Sequence, residues 1–393
     1  MKEERAQGAL AQGGVEYDVH NAKTFCLRPL SELHFALDPD AVADMTKAEN
    51  AIWDLNQRET FAGWDVYADA MLNIEALASV RMDGRPPSAN DIFFERAEAL
   101  AKNMEPSDYL VRYERDRASL EYALSLAESG TTVQMLCDIH ERVLPPKNSM
   151  VGGKLRTGMR NVGGSRYHTF GTAYTMPRPE DVRPLLEDLV AFLNDSSQPV
   201  VEQAGIAHAQ LVNIHPFDRG NGKMARMMVH HTLRYRGIAN RYLLPITCVI
   251  VNSSHDYVAG IEGCKLNGSE SEKEVGRRIN SWLSYFASSA ERTAILSATF
   301  ITSCEHAVRA AATRMRPRNG SAAQKLLKAL PALPVFTVRM VEQRLGCSFK
   351  RASEACKALE ADGIIELRHQ AKRNRIYSSP EMLAAYMDID ALR

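Results

Sequence analysis

Apolar residues recur at helical spacing through most of this chain, from about Ala41 to Ala311. The clearest segments run from Asp181 to Leu193 and from Gly205 to Ile214, where the apolar positions return every three to four residues. Residues 1–35 lack such a pattern, and we expect an irregular N-terminal arm there. The pattern predicts a mainly α fold, with a helical region at residues 36–110 followed by a larger helical bundle at residues 111–312.

The pattern changes after a run of cations and helix breakers, and we place a linker at residues 313–320. The spacing beyond it predicts helices at Ser321 to Leu330, Thr337 to Leu345 and Phe349 to Glu360, then strands at Ile364 to Arg368 and Arg375 to Ser378. Three helices followed by a hairpin resemble a winged-helix (α+β) domain, which would occupy residues 321–393.

Basic side chains cluster on the third of these helices and beside the hairpin loop: Lys350, Arg351, Lys357, Lys372, Arg373 and Arg375. Such a set can contact the phosphates of DNA. It can equally be the solvated face of a module that docks on protein. Both interpretations stay open, because a fold does not by itself fix a function.

The composition limits the number of domains and the kinds of partner that we expect. The 393 residues are enough for two or three domains, and 48 basic against 48 acidic residues give no net charge that would favour a polyanionic partner. We expect a soluble, cytoplasmic protein without a membrane partner, since no leader-like segment and no run of 18 apolar residues occurs. The seven cysteines are scattered without Cys-x-x-Cys spacing, which predicts reduced thiols and no structural zinc.

The most informative chemistry lies in residues 215–226, His-Pro-Phe-Asp-Arg-Gly-Asn-Gly-Lys-Met-Ala-Arg. Gly220 and Gly222 flank Asn221 where a helical pattern starts, and glycine permits the positive φ angles and close approach that a phosphate site needs. The helix N-terminus adds free N–H groups and the positive end of its dipole. Lys223 and Arg226 are three residues apart, so both can reach the outer phosphates of a nucleotide.

His215 precedes a proline, which disfavours helical conformation and should end the preceding helix at the imidazole. A histidine in that position, beside the glycine turn, can act as a general base. A lone His-Pro or Gly-Asn-Gly is usually an ordinary loop. The full string, in this order and at the start of a helix, is far more specific.

These residues resemble the Fic family signature His-x-Phe-x-(Asp/Glu)-Gly-Asn-Gly-(Arg/Lys)-x-x-Arg. The resemblance implies transfer of AMP from ATP to a protein Ser, Thr or Tyr hydroxyl, with His215 as the base. It further implies that Asn221 and the Gly220 and Gly222 amides hold the α-phosphate, and that Lys223 and Arg226 stabilise the β- and γ-phosphates. Phe217 would anchor the loop in the core.

Two positions depart from the family pattern. Arg219 stands where the family has the carboxylate that binds Mg²⁺, and the nearest acid is Asp218. Either Asp218 reaches the ion through a water, or Arg219 neutralises phosphate charge and the nucleotide itself holds most of the metal. We expect Mg²⁺ to be used. Lys223 replaces the commoner arginine, which exchanges a planar fork for a point charge.

A second element, Ala78 to Gly84, resembles the inhibitory Ser/Thr-x-x-x-Glu-Gly/Asn segment of many Fic proteins. Its key residues here are Ser79, Asp83 and Gly84. In the family the acid pairs with the last arginine of the nucleotide loop, which is Arg226 in this chain. Asp83 is one methylene shorter than the usual glutamate, so we expect partial autoinhibition. The plain alternative is a helix that ends at Gly84.

A third element, at about residues 153–176, has the glycines and β-branched flanks of a hairpin. It resembles the Fic flap, which pairs with the acceptor segment through main-chain hydrogen bonds. The residues that carry this interpretation are Gly153, Arg156, Val162, Gly163 and Gly164. The alternative is an ordinary surface hairpin.

The leading hypothesis is therefore an adenylyltransferase that uses ATP and modifies itself and an unidentified protein. The alternative is a nucleotide-sensing, DNA-binding regulator with weak or no transfer activity. Transfer of phosphate, UMP or phosphocholine is a lesser alternative, and a homodimer is implied only by the resemblance.

Overall fold

The computed structural model describes residues 26–82, 84, 88–162, 174–368 and 375–391. Its α-helices are α1 (Pro39–Gln57), α2 (Trp64–Met82), α3 (Ala89–Lys102), α4 (Asp108–Ser125), α5 (Val133–Val143), α6 (Pro179–Asn194), α7 (Val200–Ile214), α8 (Asn221–Tyr235), α9 (Thr247–Ile250), α10 (Ser254–Gly263), α11 (Glu272–Met315), α12 (Ala322–Ala329), α13 (Val338–Leu345), α14 (Phe349–Ala361) and α15 (Pro380–Ala391). The strands are β1 (Asn161–Val162), β2 (Tyr174–Thr175), β3 (Val335–Thr337), β4 (Glu366–Leu367) and β5 (Ile376–Ser378). The prediction of a mainly α fold is confirmed.

The centre of the bundle is formed by α7 and α8, which pack against each other. Nearly every residue of α7 is buried, so this helix is enclosed on all sides rather than along one stripe, and its polar residues Gln203, His208 and Asn213 are buried as well. The other helices surround the pair, with α6 and α11 against α7, α4 and α5 against α8, and α2 against α4. The segment that joins α7 to α8 contains residues 215–220 and is therefore held by the best-packed part of the protein.

The long helix α11 extends for 44 residues and continues to Met315, into the linker that we placed at residues 313–320. It ends where Arg316 adopts a left-handed conformation with φ 48°. The cations and breakers from Arg314 onward therefore mark the helix C-terminus as well as the connection, which explains why the predicted boundary fell three residues early.

The C-terminal elements follow the predicted order. Thr337 caps α13 by accepting a hydrogen bond from the Met340 N–H, and Ser348 caps α14 through the Arg351 N–H. Two elements were not predicted, the strand β3 and the helix α15. With β3 the sheet has three antiparallel strands in the order β3-β5-β4. The loop residues 369–374, with Lys372 and Arg373, lie outside the described residues, and the winged-helix assignment stays a prediction.

The C-terminal domain packs on the helical bundle through α2, α3 and α11. The Asn73 amide of α2 donates to the Ala332 carbonyl and to the Tyr386 hydroxyl, both at 3.2 Å. The Tyr386 ring also lies edge-on to Phe93 and Phe300, at centroid distances of 4.9 and 5.1 Å. One continuous apolar core therefore joins the two parts.

In the described part of the chain, no helix combines the length and apolarity that crossing a membrane requires. All seven cysteines are free thiols, and four of them are buried: Cys248, Cys264, Cys304 and Cys356.

Candidate functional site

The loop between α7 and α8 turns sharply at two residues with positive φ. His215 ends α7, as predicted from the proline that follows it, but it adopts a left-handed conformation with φ 51° rather than the extended one that a residue before proline usually has. Gly220 adopts φ 79° immediately before α8, which begins at Asn221. A side chain at Gly220 would be strained whatever the space around it. The first hydrogen bond of α8 is accepted by the Gly220 carbonyl from the Met224 N–H.

Because the intrahelical hydrogen bonds of α8 start at Met224, the N–H groups of Asn221 and Gly222 have no acceptor inside the helix. These two groups and the positive end of the α8 dipole favour an anion at this end of the helix. The Arg226 guanidinium folds back over the turn, so that a Cβ added at Gly222 would lie 3.5 Å from its Nη1.

The Asn221 side chain binds the loop itself, and its predicted contact with an α-phosphate stays a prediction. Its Oδ1 accepts a hydrogen bond from the Phe217 N–H at 3.0 Å, and its Nδ2 donates to the Phe217 carbonyl at 2.8 Å. Asn221 therefore closes the loop around the buried Phe217, and its backbone N–H is free of the helix hydrogen bonds. Phe217 is fully buried, as expected of the loop anchor.

Arg156 holds the same loop from outside. Its side chain is 3% exposed, and it donates to the carbonyls of His215 at 2.7 Å, Ile214 at 3.3 Å and Pro177 at 2.6 Å. Burial lowers the pKa of the Arg156 guanidinium. This residue, predicted as part of the flap, is in the structure a clamp on the main chain that presents the histidine.

His140 of α5 supports the loop on its other side. The Gly153 N–H donates to Nδ1 at 3.1 Å, so the ring proton must be on Nε2, which donates to the Arg219 carbonyl at 2.8 Å. The ring also stacks on Phe217, with centroids 3.7 Å apart. Burial lowers the pKa of His140, which keeps this ring neutral. Gly153, predicted in the flap, is thus part of the support of the nucleotide loop.

The surroundings of His215 hold its imidazole in the neutral form. Burial is the largest cause that lowers its pKa, and the nearby Arg156, Arg160 and Lys265 lower it further, to about 4. The imidazole is therefore neutral at physiological pH, which is the form that a general base requires. Its position at the end of α7 places it on the same short loop as the Gly220 turn.

The two cations of the loop are engaged by protein groups. The Lys223 Nζ donates to both carboxylate oxygens of Asp116, at 2.9 and 2.7 Å. The Ser79 hydroxyl donates to the same carboxylate at 2.9 Å and accepts from the Arg226 guanidinium at 3.3 Å. Asp116 is completely buried, and the Lys223 side chain is 11% exposed.

The helix that carries Ser79 is fixed one turn earlier by Glu75, which is 1% exposed. Glu75 accepts a hydrogen bond from the Thr247 N–H at 3.0 Å, and its carboxylate lies 3.0 Å from the His230 Nε2. This contact joins α2 to α8 and α9, so the position of Ser79 relative to Arg226 is set by the core.

The predicted inhibitory segment thus approaches the site at Ser79. Ser79 lies within hydrogen-bond distance of Arg226. Gly84 follows the end of α2 with φ 157°. Asp83 lies outside the described residues, so its pairing with Arg226 stays a prediction.

Asp218, the predicted metal ligand, is bound to Arg160. Its Oδ1 accepts from the Arg160 Nε at 3.0 Å and also from Nη2, and the Asp218 side chain is 26% exposed. Arg219 is exposed, and its main chain is the part that contacts His140. A carboxylate is a donor that Mg²⁺ accepts, but Asp218 is a single one and already neutralised. In the described ranges, no group of three or more His, Cys, Asp or Glu residues is placed to hold a metal.

The base of the predicted flap is a hairpin. Strand β1 pairs antiparallel with β2, with Asn161 opposite Thr175 and Val162 opposite Tyr174. The hairpin tip, residues 163–173, lies outside the described residues and includes Gly163 and Gly164. A role in holding an acceptor segment stays a prediction.

The predicted DNA-contacting residues Lys350, Arg351 and Lys357 are exposed on α14, which packs on α12 and α13. The acidic Glu354 is exposed among them.

Asp116 and His140 were missed by the sequence analysis. For Asp116 a signal exists, because it is three residues after Tyr113 and four before Leu120, two apolar residues on the buried face of α4. An acid on such a stripe needs a buried partner. For His140 no comparable signal exists, since its partners are main-chain groups distant in sequence.

Comparisons with known proteins show what this part of the chain resembles. Residues 130–233 match the model of the Fic/DOC family. Protein adenylyltransferase fic-1 of Caenorhabditis elegans is 30% identical over 146 residues, which are 36% of this chain and 26% of that protein. Protein adenylyltransferase Fic of Drosophila ananassae is 32% identical over 109 residues, which are 27% of this chain and 20% of that protein. The chain thus spans about a quarter or less of the length of these relatives.

Among solved structures, a Fic family protein from Desulfovibrio desulfuricans aligns with 88% of this chain and 98% of its own, at a TM-score of 0.50 and 15% identity. This likeness shows the fold. Together with the matched residues, it confirms the family resemblance of the nucleotide loop.

Proposed function

We propose that this chain, which carries a Fic domain at residues 130–233, transfers AMP from ATP to a Ser, Thr or Tyr hydroxyl of itself and of another protein. The observation that carries the proposal is the neutral, half-buried imidazole of His215 on the loop that also leads into the anion-favouring N-terminus of α8. The side chains of Arg156, His140 and Asn221 bind main-chain groups of this loop, and so they hold the base and the phosphate site together.

In the proposed reaction His215 takes the proton of the acceptor hydroxyl, and the hydroxyl oxygen forms a bond to the α-phosphorus. The bond from that phosphorus to the bridging oxygen breaks, and pyrophosphate leaves. The N–H groups of Asn221 and Gly222 stabilise the charge on the α-phosphate. Lys223 and Arg226 bind the phosphates that leave.

Magnesium would supply further charge neutralisation on the phosphates, with Asp218 as its protein ligand. The protein provides one carboxylate, so most donors would come from the nucleotide. The Arg160 guanidinium would then give up its contact with Asp218.

The test is label transfer from α-³²P-ATP, with γ-³²P-ATP in parallel, to the purified protein and to proteins of a cell lysate. Wild type, His215→Ala and the control His255→Ala are compared, because the His255 side chain is exposed. We expect α-label on protein in wild type and His255→Ala, and none in His215→Ala. Transfer of the γ-label would indicate phosphate transfer instead. No α-label from any variant would refute the proposal.

Restraint by Asp83 is also proposed, and the same assay tests it. Asp83→Gly should increase α-labelling if the acid competes for Arg226. Equal labelling of wild type and Asp83→Gly would remove Asp83 from the regulation of the site.

The alternative function, a nucleotide-sensing DNA-binding regulator, is supported by the exposed cations of α14. Its test is fluorescence anisotropy with duplex DNA at several salt concentrations, comparing wild type with Lys350→Ala/Arg351→Ala. Salt-dependent binding that the double substitution removes, in a protein that transfers no label, would favour the alternative.

A further inference from the structure

We propose that Asp116 locks the nucleotide site by holding Lys223 away from the outer phosphates, and that ATP must displace this carboxylate to bind productively. The proposal rests on the proposed function, because it assigns Lys223 to a phosphate. It adds a regulator from α4, outside the inhibitory segment at residues 78–84, and it does not depend on Asp83.

Lys223 is already paired with an acid in the structure. The Lys223 ammonium has two charge-assisted hydrogen bonds to one carboxylate, at 2.7 and 2.9 Å, and Asp116 has no exposed surface. A phosphate oxygen that approached Lys223 would find its charge already neutralised. It would also meet the negative charge of Asp116 in a region from which water is excluded, where like charges repel strongly.

Displacement of the lysine is unfavourable for a second reason. If Lys223 turned toward the nucleotide, Asp116 would remain buried and keep the Ser79 hydroxyl as a hydrogen-bond donor, but it would lose its ion-pair partner. Removing one partner from a buried ion pair is much more costly than opening a surface pair. The ground state therefore favours the lock over the phosphate contact.

Ser79 extends the lock to the second cation. Its hydroxyl donates its proton to Asp116 and its oxygen accepts from Arg226, so Asp116, Ser79 and Arg226 form one chain of hydrogen bonds. Both residues proposed to bind the leaving phosphates are thus connected to the same buried carboxylate. A change of position of α4 relative to α8 would release Lys223 directly and loosen Arg226 through Ser79.

The experiment compares the affinities of ATP, ADP and AMP for wild type and Asp116→Asn by isothermal titration calorimetry, with α-label transfer as a separate readout. The matched control is Glu114→Gln, which removes a carboxylate from the same helix at a surface pair with Arg96. Asp116→Asn should bind ATP and ADP at least about tenfold more tightly and leave AMP unchanged, because AMP has no outer phosphate for Lys223. Glu114→Gln should match wild type for all three.

If Asp116→Asn does not fold, as judged by circular dichroism, Ser79→Ala provides the second variant. It keeps the ion pair but frees Arg226 from the hydrogen-bond chain, and it should raise the affinity for ATP by about twofold to fivefold without changing that for AMP. Equal or weaker ATP binding in folded Asp116→Asn, or in Ser79→Ala where only that variant folds, would overturn the lock.

The results distinguish failure of the Asp116 lock from failure of the proposed transferase activity. Tighter ATP binding by Asp116→Asn without label transfer in any variant would retain the lock and refute the transferase. Label transfer by wild type with unchanged ATP and ADP affinities in Asp116→Asn would retain the transferase and refute the lock.

Discussion

The Asn73 amide nitrogen lies 3.2 Å from the Tyr386 hydroxyl, and this contact joins α2 to the last helix of the C-terminal domain. The other end of the same amide accepts from the Tyr113 hydroxyl at 2.7 Å and from the Arg117 Nε at 3.0 Å. Asn73 therefore connects three parts of the protein. Ser79, six residues further along α2, belongs to the hydrogen-bond chain that reaches Arg226.

Asn73→Ala should destabilise the protein by about 2–4 kcal/mol, because several buried polar groups lose their partner at once. It should also speed amide exchange in α15, which loses its hydrogen bond to α2. Urea unfolding and hydrogen-exchange mass spectrometry measure the two effects. The control is Asn240→Ala, an exposed residue whose amide donates only to the Gly237 carbonyl, and it should stay within about 0.5 kcal/mol of wild type.

The ring of His215 should titrate with a pKa of about 4, since burial and the neighbouring cations favour its neutral form. NMR of the histidine ring signals measures this directly, with His215→Ala used to assign the resonance. A general base with this pKa stays deprotonated down to about pH 5. A midpoint near the ordinary histidine value would show that the ring is more open to solvent than the structure has it, and would contradict the environment assigned to His215.

Two further buried histidines make stability depend on pH. Burial lowers the pKa of His208 to about 3 and that of His231 to about 4, so the unfolded chain binds protons first as pH falls. Their contribution is therefore complete above the ordinary histidine pKa and is lost progressively as pH falls toward 4.

The free energy of unfolding should accordingly decrease between pH 7 and pH 4.5, with His231 contributing about 2 kcal/mol of the change. His231→Phe should flatten the dependence by that amount, whereas His255→Asn, at an exposed site, should leave it unchanged. Urea midpoints at a series of pH values provide the measurement. Equal slopes in wild type and His231→Phe would contradict the assignment.

The sequence predicted the elements of this site better than their contacts. The proline after His215 and the glycine before Asn221 act within a few residues of the chain, so the end of α7 and the start of α8 could be placed closely. Arg156 was assigned to the flap because its neighbours have hairpin character. Three of its four acceptors lie 21 to 59 residues away, and no local pattern contains that information.

The same distinction between local and distant contacts explains which elements of the C-terminal domain could be predicted. Its helices begin at capping residues such as Thr337 and Ser348, which act on N–H groups two or three positions later and are visible in the sequence. Strand β3 has three residues, too few to show alternation, and it exists because β5 pairs with it. The capped helices and the hairpin strands were therefore predicted, whereas β3, which depends on a distant partner, was missed.

Arg156→Ala should destabilise the protein by about 3–5 kcal/mol and abolish transfer. The buried guanidinium donates to main-chain carbonyls on both sides of the loop, and their hydrogen bonds would have no replacement. Arg160→Ala is the matched control, because Arg160 is 47% exposed and contacts a single side chain, Asp218. It should cost less than about 1 kcal/mol. Similar losses of stability in the two variants would contradict the clamp assigned to Arg156.

The two glycines of the nucleotide loop should respond differently to alanine, although they are two residues apart. Gly220 has φ 79°, so Gly220→Ala should cost about 1–2 kcal/mol of stability and distort the start of α8. Gly222 lies within the first turn of α8, and a Cβ there would be in ordinary contact with the Arg226 guanidinium at 3.5 Å. Gly222→Ala should therefore keep or slightly raise stability, since alanine favours helix over glycine by up to about 1 kcal/mol.

ATP binding provides a second comparison of the two glycine variants. Gly222→Ala should weaken ATP binding despite its unchanged stability, because the added methyl group would lie between the turn and Arg226. Unfolding in urea and calorimetric titration with ATP measure the two properties independently. If both variants lost stability equally, the left-handed turn would not be the reason that glycine is needed at position 220. If Gly222→Ala bound ATP as wild type does, close approach of a phosphate to this turn would be excluded.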